Sequence, residues 1–147
     1  MVTNSMRKSS KLYLDANFFI FAVLDITENG ENARKIYNKI VKKEVEATTS
    51  SLTLDEVMRV FIKNNKRHLI KSVITDIYQT PNLEILPVSV SVPLFSLDLI
   101  EEGLNPRDAF HVTIMKENNI DVIISEDEDF KKIKDIVCLN FKEFFKN

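Results

Sequence analysis

The sequence predicts an α/β protein: a three-layer α/β/α sandwich around a central, mostly parallel five-stranded sheet. Three observations predict it. Two short apolar runs, Lys11 to Leu14 and Val122 to Ile124, each stop at an acid or at a serine followed by acids, as buried strands do at their carboxyl ends. Segments with helical spacing alternate with the strand candidates. The connections are long enough for the right-handed crossovers that parallel strands require.

Taken in order, Lys11 to Leu14 is the first strand. Glu31 to Lys43 places Ala33, Ile36, Tyr37 and Ile40 on one helical stripe. Glu44 to Thr49 is a weaker strand candidate. Leu54 to Ile62 repeats the helical spacing with Val57, Met58, Phe61 and Ile62, and Asn64-Asn65 mark a break. A helix over Lys66 to Tyr78 ends ahead of Pro81. Leu83 to Val88 and Ile136 to Asn140 are strands by their β-branched content. Val92 to Glu102 reads as a helix stopped by Gly103, and Pro106 to Asn118 as the next, with Asn105 as its cap and Pro106 at its first position.

At 147 residues, with 44 % hydrophobic and 29 % charged residues and only two glycines, the chain reads as one domain, residues 1–147, and not as a disordered or fibrous protein. The polar first ten residues are expected to form a flexible segment. No apolar run is long enough for a membrane span or a secretory signal, and the single cysteine, Cys138, lies in an apolar run where a buried reduced thiol is expected. A cytoplasmic protein is the expectation.

A net charge of −2 provides no global field for nucleic acid. The basic residues are nevertheless clustered: Lys63, Lys66, Arg67, His68 and Lys71 in one stretch, Lys131, Lys132 and Lys134 in another. A solvated helix face accounts for such runs as well as a phosphate contact does.

The acids carry the chemistry. Asp15 follows the first strand, where it is either a helix cap or a site residue. Glu56 stands three positions after Thr53 and fits a capping box; Asp108 occupies the third position after Asn105, where an acid also favours the helix dipole. Ser125-Glu126-Asp127-Glu128-Asp129 puts four acids after a buried strand, at a cost in repulsion unless water or a cation screens them. In an open parallel sheet these positions converge on one crevice beyond the strand ends. A carboxylate cluster with no Arg or Lys between its members calls for a metal. Oxygen ligands favour Mg²⁺ or Mn²⁺ over Zn²⁺. His111 is expected to pack or hydrogen-bond outside the metal shell, and His68 has no special place.

These blocks resemble the PIN domain: Leu14-Asp15-Ala16-Asn17, Ser50 to Glu56, Asn105 to His111, and Ile124 to Phe130, in that order and spacing over about Lys11 to Phe141. In style they are similar to the toxin nucleases of prokaryotic VapBC toxin–antitoxin pairs. The resemblance implies that Asp15, Asp108 and Asp127 hold the principal metal and that Glu56 supports it directly or through water. It further implies that Asp129 is an additional acid and that Asn17 and Ser125 orient the site. Which of Glu126, Asp127, Glu128 and Asp129 bind metal directly stays open. The implied activity is endoribonuclease hydrolysis leaving 5′ phosphate and 3′ hydroxyl, served by ions roughly 3.5–4 Å apart, with Lys63, Lys66, Arg67 and Lys71 gripping the RNA backbone.

An antitoxin partner and a homodimer, the latter through the apolar stretch Phe18 to Leu24 or the helices near Phe61, are implied as well. The alternatives are a stand-alone PIN protein of RNA processing and a non-catalytic PIN-fold module that binds RNA or protein. An aspartate-nucleophile phosphatase would want an acid where Asn17 stands, and a receiver domain would want an acidic pair where Asp15 is followed by Ala16.

Overall fold

A computed structural model describes residues 11–146, so the expected flexible segment over residues 1–10 lies outside the described residues. Five strands form a single parallel sheet in the order β3-β2-β1-β4-β5. They are β1 (Leu12–Leu14), β2 (Ala47–Ser50), β3 (Leu83–Leu86), β4 (Val122–Ile124) and β5 (Val137–Leu139). The helices are α1 (Ala16–Leu24), α2 (Glu28–Val41), α3 (Ser51–Lys63), α4 (Ile70–Gln79), α5 (Val92–Phe95), α6 (Leu97–Glu101), α7 (Pro106–Glu117) and α8 (Phe141–Lys146). Two 3₁₀ turns, Arg67–Leu69 and Glu128–Lys132, complete the set.

The two faces of β1 divide the core. Leu12 and Leu14 join Phe18, Ile36, Ile40, Val57, Phe61 and Phe141 on one side of the sheet. Tyr13, one residue out of phase, joins Val112, Ile114, Met115, Ile123 and Phe130 on the other. The three-layer expectation is met.

Helix ends follow a repeated device. At Lys43, Asn65, Gly103 and Asn119 the backbone turns left-handed, and the next residue's amide reaches back five positions to a helix carbonyl: Glu44 N to Lys39 O, Lys66 N to Phe61 O, Leu104 N to Leu99 O and Ile120 N to Met115 O. The Asn64-Asn65 break and the Gly103 stop are thus located as expected. The first of these turns takes up residues 43–46, so β2 begins at Ala47 and not at Glu44.

Three further corrections have local causes. The stretch Phe18 to Leu24, read as an exposed-looking apolar face, is most of α1: Phe18 and Phe19 are buried, and Ile20, Phe21, Ala22 and Leu24 pack against the core, leaving Val23 as the exposed large side chain of the helix. The helix expected over Val92 to Glu102 is interrupted at Ser96, whose hydroxyl donates to Val92 O at 2.7 Å and pairs with Thr113 Oγ1 at 2.8 Å. The terminal helix α8 has a capping box of its own, since Asn140 Oδ1 accepts from Glu143 N and Glu143 Oε1 accepts from Asn140 N. No helix among the described residues is long and apolar enough to cross a membrane.

Candidate active site

With β1 central, the chain crosses to β2 on one side and returns to β4 on the other, and a crevice opens between the carboxyl ends of β1 and β4. The pocket there is lined by Asp15, Ala16, Asn17, Ile20, Glu56, Arg59, Val60, Arg107, Asp108, His111, Asp127 and Phe130. The four acids singled out by the sequence, Asp15, Glu56, Asp108 and Asp127, all line it.

Asp15 caps α1 and serves the pocket at once. Its Oδ1 accepts from Phe18 N at 3.4 Å, and its Oδ2 accepts from the Ser125 hydroxyl at 2.5 Å. Burial pushes its carboxyl up to about 7, opposed by the Ser125 hydrogen bond and by His111. Ser125 Oγ in turn accepts from Asp127 N at 2.9 Å, and Asn17 Oδ1 accepts from Glu126 N at 3.4 Å, so both small polar residues brace the loop after β4.

Asp108, Asp127 and Asp129 offer carboxylate oxygens that all lie within 4.8 Å of one another. Asp108 is raised above the ordinary aspartate range by burial and then by the charge of Asp127, and its side chain makes no hydrogen bond among the described residues. Asp129, expected as a supporting acid, belongs to this tight group, whereas Asp15 and Glu56 stand around it. Of the other loop acids, Glu126 is turned away, with its Oε2 accepting from Phe141 N at 2.7 Å at the start of α8, and Glu128 is exposed.

The capping-box reading of Glu56 does not hold. Helix α3 starts earlier, with Ser50 as its cap accepting from Thr53 N at 3.3 Å, which puts Glu56 in the second turn, where it cannot reach the cap amide. Its Oε1 instead meets His111 Nε2 at 2.8 Å, and its Oε2 lies 3.4 Å from Arg107 Nε. The expectation that no cation stands among the acids is corrected on the same ground: Arg107 pairs with Glu56. Asp108 does occupy the third position of α7, whose cap Asn105 accepts from Arg107 N at 3.2 Å.

Lys63, Lys66, Arg67 and Lys71 are exposed but lie outside the pocket lining; Lys63 alone is seven residues past Glu56, roughly 10 Å along α3. Arg59 and Arg107 line the pocket, and neither was singled out in the sequence. Arg59 Nε pairs with Asp55 at 2.9 Å, one turn back on the same helix.

Burial also raises the Cys138 thiol to about 12, so it is an inert core group as its apolar surroundings suggested. A divalent cation suits the carboxylates. Three oxygen donors converge, Asp108 is half-buried beside like charges, and no sulfur competes for the position.

No curated protein matches the chain. Solved structures do. The chain is 13 % identical to the Mycobacterium tuberculosis toxin VapC20, which cleaves the sarcin-ricin loop, with 82 % of this chain and 93 % of that one aligned at a TM-score of 0.69. It is 19 % identical to a chain of the DNA-bound VapBC complex of Salmonella typhimurium, covering 90 % and 99 % at 0.68. It is equally 19 % identical to a chain of Rickettsia felis VapBC2 bound to promoter DNA, covering 88 % and 98 % at 0.67. Identities this low speak for the fold. The PIN domain family model, however, matches residues 12–136, nearly the whole span from β1 to β5, and the chain belongs to the PIN domain family.

Proposed function

We propose that this protein is a Mg²⁺- or Mn²⁺-dependent endoribonuclease and the toxin of a two-protein toxin–antitoxin pair. The observation that carries the reading is the convergence of Asp108, Asp127 and Asp129 in one crevice with Asp15 and Glu56 at its edge, without enough cations to balance them. Asp108, Asp127 and Asp129 would hold the metal, with Asp15 and Glu56 supporting it. When bound, the ion would polarise the phosphate and acidify a water molecule.

The protein's own groups do the rest. Ser125 fixes Asp15 and the Asp127 backbone in one arrangement. The guanidiniums of Arg59 and Arg107 are held through Nε, which leaves their terminal amino groups to take the phosphate oxygens of the strand. Lys63, Lys66, Arg67 and Lys71 would contact more distant phosphates.

The likeness to chains solved as VapBC complexes supports a small antitoxin partner. A cytoplasmic location and a homodimer complete the proposal. The test is cleavage of a mixed RNA pool with Mg²⁺ or Mn²⁺, comparing the protein with folded Asp15→Asn and Asp108→Asn variants. Metal-dependent cutting that both substitutions abolish is the expected result. A wild-type protein that binds RNA but cuts neither RNA nor single-stranded DNA at any metal concentration would replace the enzyme by a binding module.

A further inference from the structure

One buried run of polar side chains reaches the pocket from the far side of the sheet. Ser50 Oγ lies 2.7 Å from the Tyr13 hydroxyl, that hydroxyl 2.7 Å from His111 Nδ1, and His111 Nε2 2.8 Å from Glu56 Oε1. Tyr13 and Ser50 are 0 % exposed and His111 2 %, so bulk water does not compete for these bonds. Both ends of the run belong to α3: Ser50 caps it and Glu56 occupies its second turn. The middle, His111, lies on α7 one turn beyond Asp108.

A carboxylate only accepts, so His111 Nε2 donates to Glu56. Burial raises Tyr13 well above the ordinary phenol range, so the hydroxyl behind the ring keeps its hydrogen. The Ser50 oxygen beyond it takes the Thr53 amide. Among the described residues no buried side-chain polar atom is left without a partner.

We propose that His111 is a positioning residue, backed by Tyr13 and Ser50, which holds Glu56 Oε1 and so fixes Oε2 at the pocket beside Arg107. The catalytic consequence rests on the metal-nuclease reading; the hold on Glu56 does not. The arrangement is that of an outer partner orienting a ligand, whose loss typically lowers metal affinity or turnover about 10–100-fold. A purely structural histidine would tie β1, α3 and α7 together whether or not its neighbour is a working acid.

Mn²⁺ binding read by electron paramagnetic resonance should weaken about 10-fold or more in His111→Leu and return toward wild type in His111→Gln, whose amide N–H can still reach Glu56. In the cleavage assay kcat should follow the same order with KM for RNA unchanged. A Gln variant no better than Leu, with both folded, overturns the positioning role. A wild type that never cleaves strikes the nuclease reading alone, and Mn²⁺ binding still decides on His111. Should His111→Leu fail to fold, Tyr13→Phe, which removes the hydroxyl behind His111, should weaken Mn²⁺ binding in its place, and unchanged binding overturns the role.

Discussion

The Ser125 hydroxyl donates to Asp15 Oδ2 while its oxygen accepts the Asp127 amide, so one side chain ties the acid after β1 to the acid after β4. This bond opposes the effect of burial on Asp15. Ser125→Ala should therefore drive the Asp15 carboxyl higher still and shift the alkaline rise of the pH–rate profile upward, with a fall in kcat of about 10-fold or more. Unchanged profiles would remove Ser125 from the site.

Asp15 also makes a prediction about stability. An acid raised by burial from 3.8 to about 7 binds its proton more tightly folded than unfolded. Its favourable contribution is present below the ordinary aspartate range and is lost as pH rises through about 7. The loss is on the order of 4 kcal/mol without metal. Asp15→Asn, which keeps the α1 cap, should raise the melting temperature of the metal-free protein by roughly 5–10 °C at pH 8 and by little at pH 4. A stabilisation equal at both pH values would argue against a charged Asp15 as its source.

The three close carboxylates imply a second thermal signature. Mg²⁺ or Mn²⁺ at 100 times its dissociation constant should stabilise the wild type by about 2.7 kcal/mol. Asp108→Asn should abolish that gain while stabilising the metal-free protein, because it removes a half-buried charge beside Asp127 and Asp129. Scanning calorimetry with EDTA and with added metal separates the two effects.

Phosphate binding should divide by position. Arg59→Ala and Arg107→Ala, which truncate residues of the pocket lining, are expected to raise KM for RNA several-fold and to lower the salt dependence of binding. Alanine at Lys63, Lys66, Arg67 or Lys71 should act more weakly and only on longer RNA. Equal effects on short and long substrates would place those residues at the scissile phosphate instead.

Gly30 offers a test of the fold alone. A β-carbon there would lie 1.9 Å from Asp25 O, a backbone atom that Arg34 Nη1 also holds at 2.9 Å. Gly30→Ala should cost about 2–4 kcal/mol by displacing the start of α2, measurable by denaturant melts, without changing the ratio of metal-bound to metal-free stability.

Local chemistry decided what the sequence could reveal. The acids after β1 and β4 were legible because a short apolar run ending in Asp or Ser-Glu-Asp marks both the strand and the site. Helix α1 was not, because Ala16 to Leu24 is apolar on nearly all sides and lacks the periodicity that marks a half-exposed helix. Glu56 fits a capping box as well as a site in the sequence, because nothing there marks Ser50, one position beyond the expected strand, as the true cap. The contacts of Tyr13 with His111 and of His111 with Glu56 span 98 and 55 residues, beyond any local pattern. The tight backing of His111 could have been suspected only from its spacing to Asp108 on one face of α7.

The strand order has a further consequence for how the protein is made. Because β4 is laid beside β1 after β2 and β3 have been made, the carboxylates at 15, 56 and 108 wait for those at 127 and 129, which follow them on the chain. A nascent or prematurely terminated chain that stops short of β4 has the first wall of the crevice and not the second. It lacks two of the three acids that come together at the cluster, so no product that stops there carries the full carboxylate group.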